Sequence, residues 1–107
     1  MSHLLVMTTL PDMALAEDLS RQLVDKSLAA CVNILPKMVS IYRWKRDLQR
    51  GEEHQLMMKT TTDNYPALEQ FIRQHHPYEL PEIIAIPIAH GLPDYLAWVS
   101  DNCEKNT

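Results

Sequence analysis

The residues best equipped for chemistry stand together between a predicted helix and a predicted strand, as His75-His76-Pro77-Tyr78-Glu79-Leu80-Pro81-Glu82-Ile83. Two imidazoles, a phenol and two carboxylates are set beside two prolines that fix the backbone, and stiff polar connections of this kind are common places for function. Neutral imidazole is a good ligand for borderline ions such as Cu(II), which makes His75 and His76 candidate metal ligands. Adjacent residues on a helix project about 100° apart, so one ring can face the core while the other joins an outside ligand set. The same residues also read as a plain helix end. His75 and His76 would then sit at the negative end of the macrodipole, with Pro77 stopping the helix and Pro81 leading into the strand.

Other stretches offer weaker chemistry. Lys59, followed by Thr60, Thr61 and Thr62 at a strand end, forms an anion or polar-ligand cleft with Tyr78 and Glu82 if the two connections converge. Met7, Met57 and Met58 lie on predicted central strands; thioethers can hold Cu(I), but flexible core filler is their expected role. Met1-Ser2-His3 offers an amine, backbone nitrogens and an imidazole for a square-planar Cu(II) chelate. The five histidines lack the paired spacing of a structural zinc site. No serine, cysteine or carboxylate dyad stands in a nucleophilic or acid–base motif, so binding rather than catalysis is expected.

The elements that must position these residues follow from hydrophobic period. Leu4 to Leu10 is a short β-leaning run bounded by Pro11-Asp12. From Asp12, Leu15, Leu19, Leu23 and Leu28 recur with Ala16 and Val24, and charged residues take the other face: an amphipathic helix of about four turns. Leu28 to Trp44 reads as a second strand, with Pro36 marking a bulge or edge because it cannot donate to a ladder. A charge-dense stretch from Lys45 to Glu53 leads into a third strand at Leu56–Thr61, giving a long hairpin with Trp44 near its tip. Asp63 or Asn64 caps a second helix carrying Tyr65, Leu68, Phe71, Ile72 and His75, with Pro66 in its first turn. Ile83 to Ile88 is a fourth strand, apolar on both faces, with Pro87 suited to an edge. Gly91-Leu92-Pro93 opens a last helix bearing Tyr95, Leu96, Trp98 and Val99.

This order, βαββαβ, is the α+β ferredoxin-like arrangement: an antiparallel sheet with two helices on one face and, here, a long hairpin and an added C-terminal helix. Residues 1–107 read as a single domain by length. Helices cover only one face of such a sheet, while Ile84, Ile86 and Ile88 alternate with Ile83, Ala85 and Pro87, so a partner subunit is expected on the second face. Trp44 and Trp98 are the expected interface anchors.

Composition narrows the partners. Ten basic against 14 acidic residues give a net charge of −4, which argues against a nucleic-acid binder that lives on phosphate contacts. No apolar run approaches the ~18 residues of a membrane span, and no signal peptide is read at the N-terminus. Two cysteines without CxxC spacing, Cys31 and Cys103, fit a reduced cytoplasmic chain. The first strand carries neither the glycine-and-arginine loop of acylphosphatase-type catalysis nor, with the third, the stacking aromatics of an RNA-recognition domain.

Linked motifs then resemble a known family. Leu28-Ala29-Ala30-Cys31-Val32-Asn33, Ser40-Ile41-Tyr42-Arg43-Trp44, Lys59-Thr60-Thr61, the His75–Ile83 stretch and Tyr95-Leu96-Ala97-Trp98 stand in the order and spacing of the CutA divalent-cation tolerance family. The resemblance runs from Leu5 to about Asn102. It implies a ferredoxin-like subunit, a homotrimer resembling PII signalling proteins, and a role linked to copper or another divalent cation. Some members implicated in copper binding combine a cysteine at the end of the first strand with the paired histidines; here that position is Thr8, a poor replacement for thiolate. The hairpin turn, often glycine-bearing in the family, is Lys45-Arg46-Asp47. Two functions are therefore expected as alternatives: a trimeric metal-associated binding protein using His75 and His76, or a PII-like signalling or scaffold trimer taking a small ligand or partner protein in inter-subunit clefts lined by Lys59, Tyr78 and Glu82.

Overall fold

A computed structural model describes residues 2–104. Strand β1 (His3–Leu10) runs into helix α1 (Met13–Asp25), followed by β2 (Cys31–Ile34), β3 (Met38–Trp44), β4 (Asp47–Thr61), α2 (Tyr65–His75), β5 (Ile83–Pro87) and α3 (Pro93–Asn102). The sheet order is β2-β4-β1-β5, every neighbouring pair antiparallel, with β3 added along the outer half of β4. This is the ferredoxin-like arrangement that the element order predicts.

Alternation along the strands divides the sheet into two unlike faces. Val6, Leu56 and Met58 point to the side of α1 and α2 and pack, fully buried, with Ala16, Leu19 and Leu23 of α1 and Leu68 and Ile72 of α2. Leu15 and Val24, expected on the inner stripe of α1, are exposed instead. The stripe that the core accepts is the narrower one of Ala16, Leu19, Ser20 and Leu23. Helix α1 stops at Ser27, which takes a left-handed φ of 58°. The Leu28 amide then bonds the Leu23 carbonyl and the Ser27 amide that of Val24, the Schellman pattern in which glycine is usual.

The long second strand expected from Leu28 to Trp44 is two strands. Pro36 has no amide to donate, and the Leu35 amide makes the last bond of that stretch to β4, onto the Gln55 carbonyl. The third strand, conversely, begins at Asp47 rather than Leu56, because charged residues 47–53 pair with β3 in a two-stranded arm that needs no buried face. The arm turns at Lys45 (φ 49°) and Arg46 (φ 76°), flanked by the Trp44–Asp47 pair. Two successive positive φ angles are the mark of the tight hairpin turn usually filled by Asn-Gly.

Asn64 precedes α2 but caps nothing with its side chain. Its amide Nδ2 donates instead to the carbonyls of Ser27 and Cys103, at 2.8 Å each, tying the end of α1 and the end of α3 to the start of α2. Helix α3 packs through Val99 and Cys103 against Ala30. Among the described residues no helix is long and apolar enough to cross a membrane.

Candidate functional site

Helix α2 ends by delivering its two histidines to different places. His75 stays at the surface, donates from Nδ1 to the Phe71 carbonyl at 2.8 Å, and stacks on the Phe71 ring at 4.1 Å. His76 leaves the helix in extended conformation and is buried. Its Nε2 lies 2.6 Å from the Thr9 carbonyl at the end of β1, and its Nδ1 accepts the Tyr78 amide at 3.1 Å. A carbonyl can only accept and an amide N–H only donate, so the ring is the neutral Nε2–H tautomer with both nitrogens engaged. Burial pushes the His76 pKa below its ordinary value, opposed by the bond to Thr9 and by the charge of Glu53.

Tyr78 completes the cluster. Its hydroxyl donates to Glu53 Oε2 at 2.8 Å, and its ring lies 4.9 Å from that of His76. Burial first, and the Glu53 carboxylate second, hold the Tyr78 phenol well above its usual range. Glu53, only 8% exposed, is the residue that sequence reasoning missed. It stands beside Glu52 in a charged run, and only the pairing of β4 with its neighbours separates the inward carboxylate from the outward one, which bonds Lys37 and Arg50.

Within one chain, then, the paired histidines do not converge on a common point. Among the described residues only His75 keeps an imidazole nitrogen, Nε2, free of hydrogen bonds. No group of three or more His, Cys, Asp or Glu side chains is gathered there to hold a metal ion. Thr8, at the position where a cysteine was considered, is wholly buried on the helix-covered face, and its hydroxyl has no partner among the described residues.

Lys59, Tyr78 and Glu82 also lie apart. The Lys59 ammonium bonds Asn33 Oδ1, whereas Tyr78 is held by Glu53. Six residues of extended β4 separate Lys59 from Glu53, about 20 Å. Glu82 is exposed. Trp44 is half-buried near the arm tip, with the Lys45 ammonium 5.7 Å above its ring. Trp98 is 44% exposed and stacks on Tyr95 at 5.6 Å. His3 bonds Ser100 Oγ at 2.8 Å, and Met1, whose amine the terminal chelate would need, lies outside the described residues.

Comparison with known proteins decides the family. The model of the CutA1 divalent ion tolerance protein family matches residues 4–102. The chain belongs to that family. It is 46% identical over 93 residues to the CutA homolog of Xenopus laevis, covering 87% of this chain and 62% of that protein. To mouse CutA it is 45% identical over 97 residues, covering 91% and 55%. The chain thus spans little more than half the length of these vertebrate relatives. The solved CutA1 divalent cation tolerance protein of Thermus thermophilus superposes with a TM-score of 0.93 at 41% identity, covering 95% of this chain and 99% of that one. CutA1 membership connects the chain to divalent-cation tolerance, and the family's name is that of an ion tolerance protein rather than an enzyme.

Proposed function

We propose that the chain works as a homotrimer that binds divalent metal, copper in the first place, in the service of cation tolerance, and that it acts by binding without catalysing a reaction. The observation that carries the assembly is the unpartnered sheet face: Ile84 and Ile86 of β5 are each 46% exposed and stand beside half-buried Leu5 and Met7 of β1. An apolar surface built from neighbouring strands is what a second copy covers. Exposed Val39, Ile41 and Leu48 on the arm add apolar surface beyond the sheet.

His75 is the metal contact in this reading and His76 its support. His76 fixes the end of α2 on Thr9, which sets where the neighbouring His75 ring stands; the remaining ligands come from water, Glu79, Glu82 or a neighbouring copy. The site is weak, imidazole-dominated and better suited to Cu(II) than to Zn(II). Two unpaired thiols, Cys31 and Cys103, support a reducing, cytoplasmic setting. A PII-like trimer with a ligand between copies is the second reading, favoured by the separation of Lys59 from Tyr78, which leaves a cleft between subunits as the place for them to meet.

Cu(II) titration in a His3→Ala background tests the metal claim free of the terminal chelate. The reading predicts modest affinity that is lost on adding His75→Ala and that falls as the pH drops from about 7.5 to 5.5. Equal binding with and without His75 would overturn it.

A further inference from the structure

The open face of the sheet carries three sulfur atoms on three adjacent strands. Met7 on β1 pairs directly with Met57 on β4, and Met57 pairs in turn with Asn33 on β2. Cys31, two residues before Asn33, therefore lies on the same face, diagonally next to Met57. Directly opposed side chains in such a ladder have Cβ atoms about 4.5–5.5 Å apart, and diagonal neighbours are about 7–8 Å apart, within reach of long side chains. We propose that Met7, Met57 and Cys31 form a soft-metal site that takes Cu(I), with two thioethers and one thiolate as its ligands.

The burial pattern separates these sulfurs from ordinary core filler. Met58, the next residue along β4, is fully buried beneath the helices; Met7, Met57 and Cys31 are half-buried on the other face. Gln55 donates from Nε2 to Met7 Sδ at 3.1 Å, which orients that thioether and leaves its second lone pair available. Cys31 is a free thiol beside the Tyr95 phenol, and its register partner Lys59 places a cation next to it, which favours the thiolate. Among the described residues no carboxylate and imidazole cluster competes as a hard-ion site. Thiolate and thioether donors select Cu(I) over harder ions. Binding replaces the thiol proton: the Cys31 S–H bond breaks, a Cu–S bond forms, and the proton goes to solvent. The resulting thiolate–Cu(I) unit is neutral, which suits a face whose other members are Leu5, Ile84 and Ile86.

This inference goes beyond divalent-ion binding, and all three donors belong to one chain, so it stands apart from both the assembly and the His75 contact. The test uses the reduced full chain under anaerobic conditions, with Cu(I) supplied as its bicinchoninate complex. The wild type should withdraw Cu(I) from the chelator, and His75→Ala should not change that. Met7→Leu with Met57→Leu, which conserve volume, should weaken binding by at least roughly tenfold, since losing even an outer partner of a metal ligand costs about 10–100-fold. Cys31→Ser should weaken it further. X-ray absorption on the loaded wild type should show a sulfur-only shell. Wild-type affinity in the double leucine variant, or a shell dominated by nitrogen, would overturn the proposal.

Discussion

The two faces of the sheet are built from the same strands, one residue out of step, and they live under different constraints. On β4, Met58 is sealed beneath α1 and α2, while Met57 looks out from the opposite face with part of its surface open. On β1 the same alternation sets Val6 against Leu5 and Met7. The covered face holds the single chain together, because each of its side chains already has neighbours on every side. The open face is apolar without being filled. Side chains there contribute little until something is laid against them, and so the face is free to serve assembly and, through its sulfurs, metal binding.

Substitutions on neighbouring residues break this comparison most sharply. Met58→Ala should destabilise the folded chain by about 2–5 kcal/mol, the range for truncating a fully buried side chain, and denaturant unfolding would show it. Met57→Ala should cost well under half as much in the isolated chain. Equal losses would mean that the open face is packed within the chain itself. Ile84→Asp should leave the far-ultraviolet circular dichroism of the fold in place and dissociate the assembly, as read by native mass spectrometry.

The third prediction concerns the rim where the two faces meet. His76→Ala leaves the Thr9 carbonyl and the Tyr78 amide without partners and should cost about 1–3 kcal/mol. Because burial depresses the His76 pKa, the unfolded chain binds the proton more readily than the folded one. The contribution of His76 is therefore complete above about pH 6.5 and declines as the pH falls below it. Unfolding free energies between pH 7.5 and 5 should fall for the wild type and fall less for the alanine variant.

The smallest effect lies at the arm tip. Replacing Lys45-Arg46 with Asn-Gly relieves two left-handed residues without touching either face of the main sheet. It should raise stability by about 1 kcal/mol, seen as a shift of the denaturant midpoint.

What the sequence disclosed follows the same division. The period of Leu19 and Leu23 and the two-sided apolarity of Ile84 and Ile86 are local patterns, and each leads to the right element and to the uncovered face. The outer half of β4 was illegible because Asp47–Glu53 pairs with β3 where no core imposes alternation. The cluster around His76 was hidden for a different reason: its partners, Thr9 and Glu53, lie 67 and 23 residues away in the chain and meet it only through strand register. Adjacent histidines suggested a pair. Tertiary contacts made one of them structural and left the other at the surface.

The central claim, that the open face is an interface between copies, is tested most directly by native mass spectrometry of the wild type beside Ile84→Asp at micromolar concentration. The account predicts a wild-type species of three times the 12.4 kDa chain mass and a folded single-chain species for the variant. A wild type that runs at the mass of one chain would contradict it.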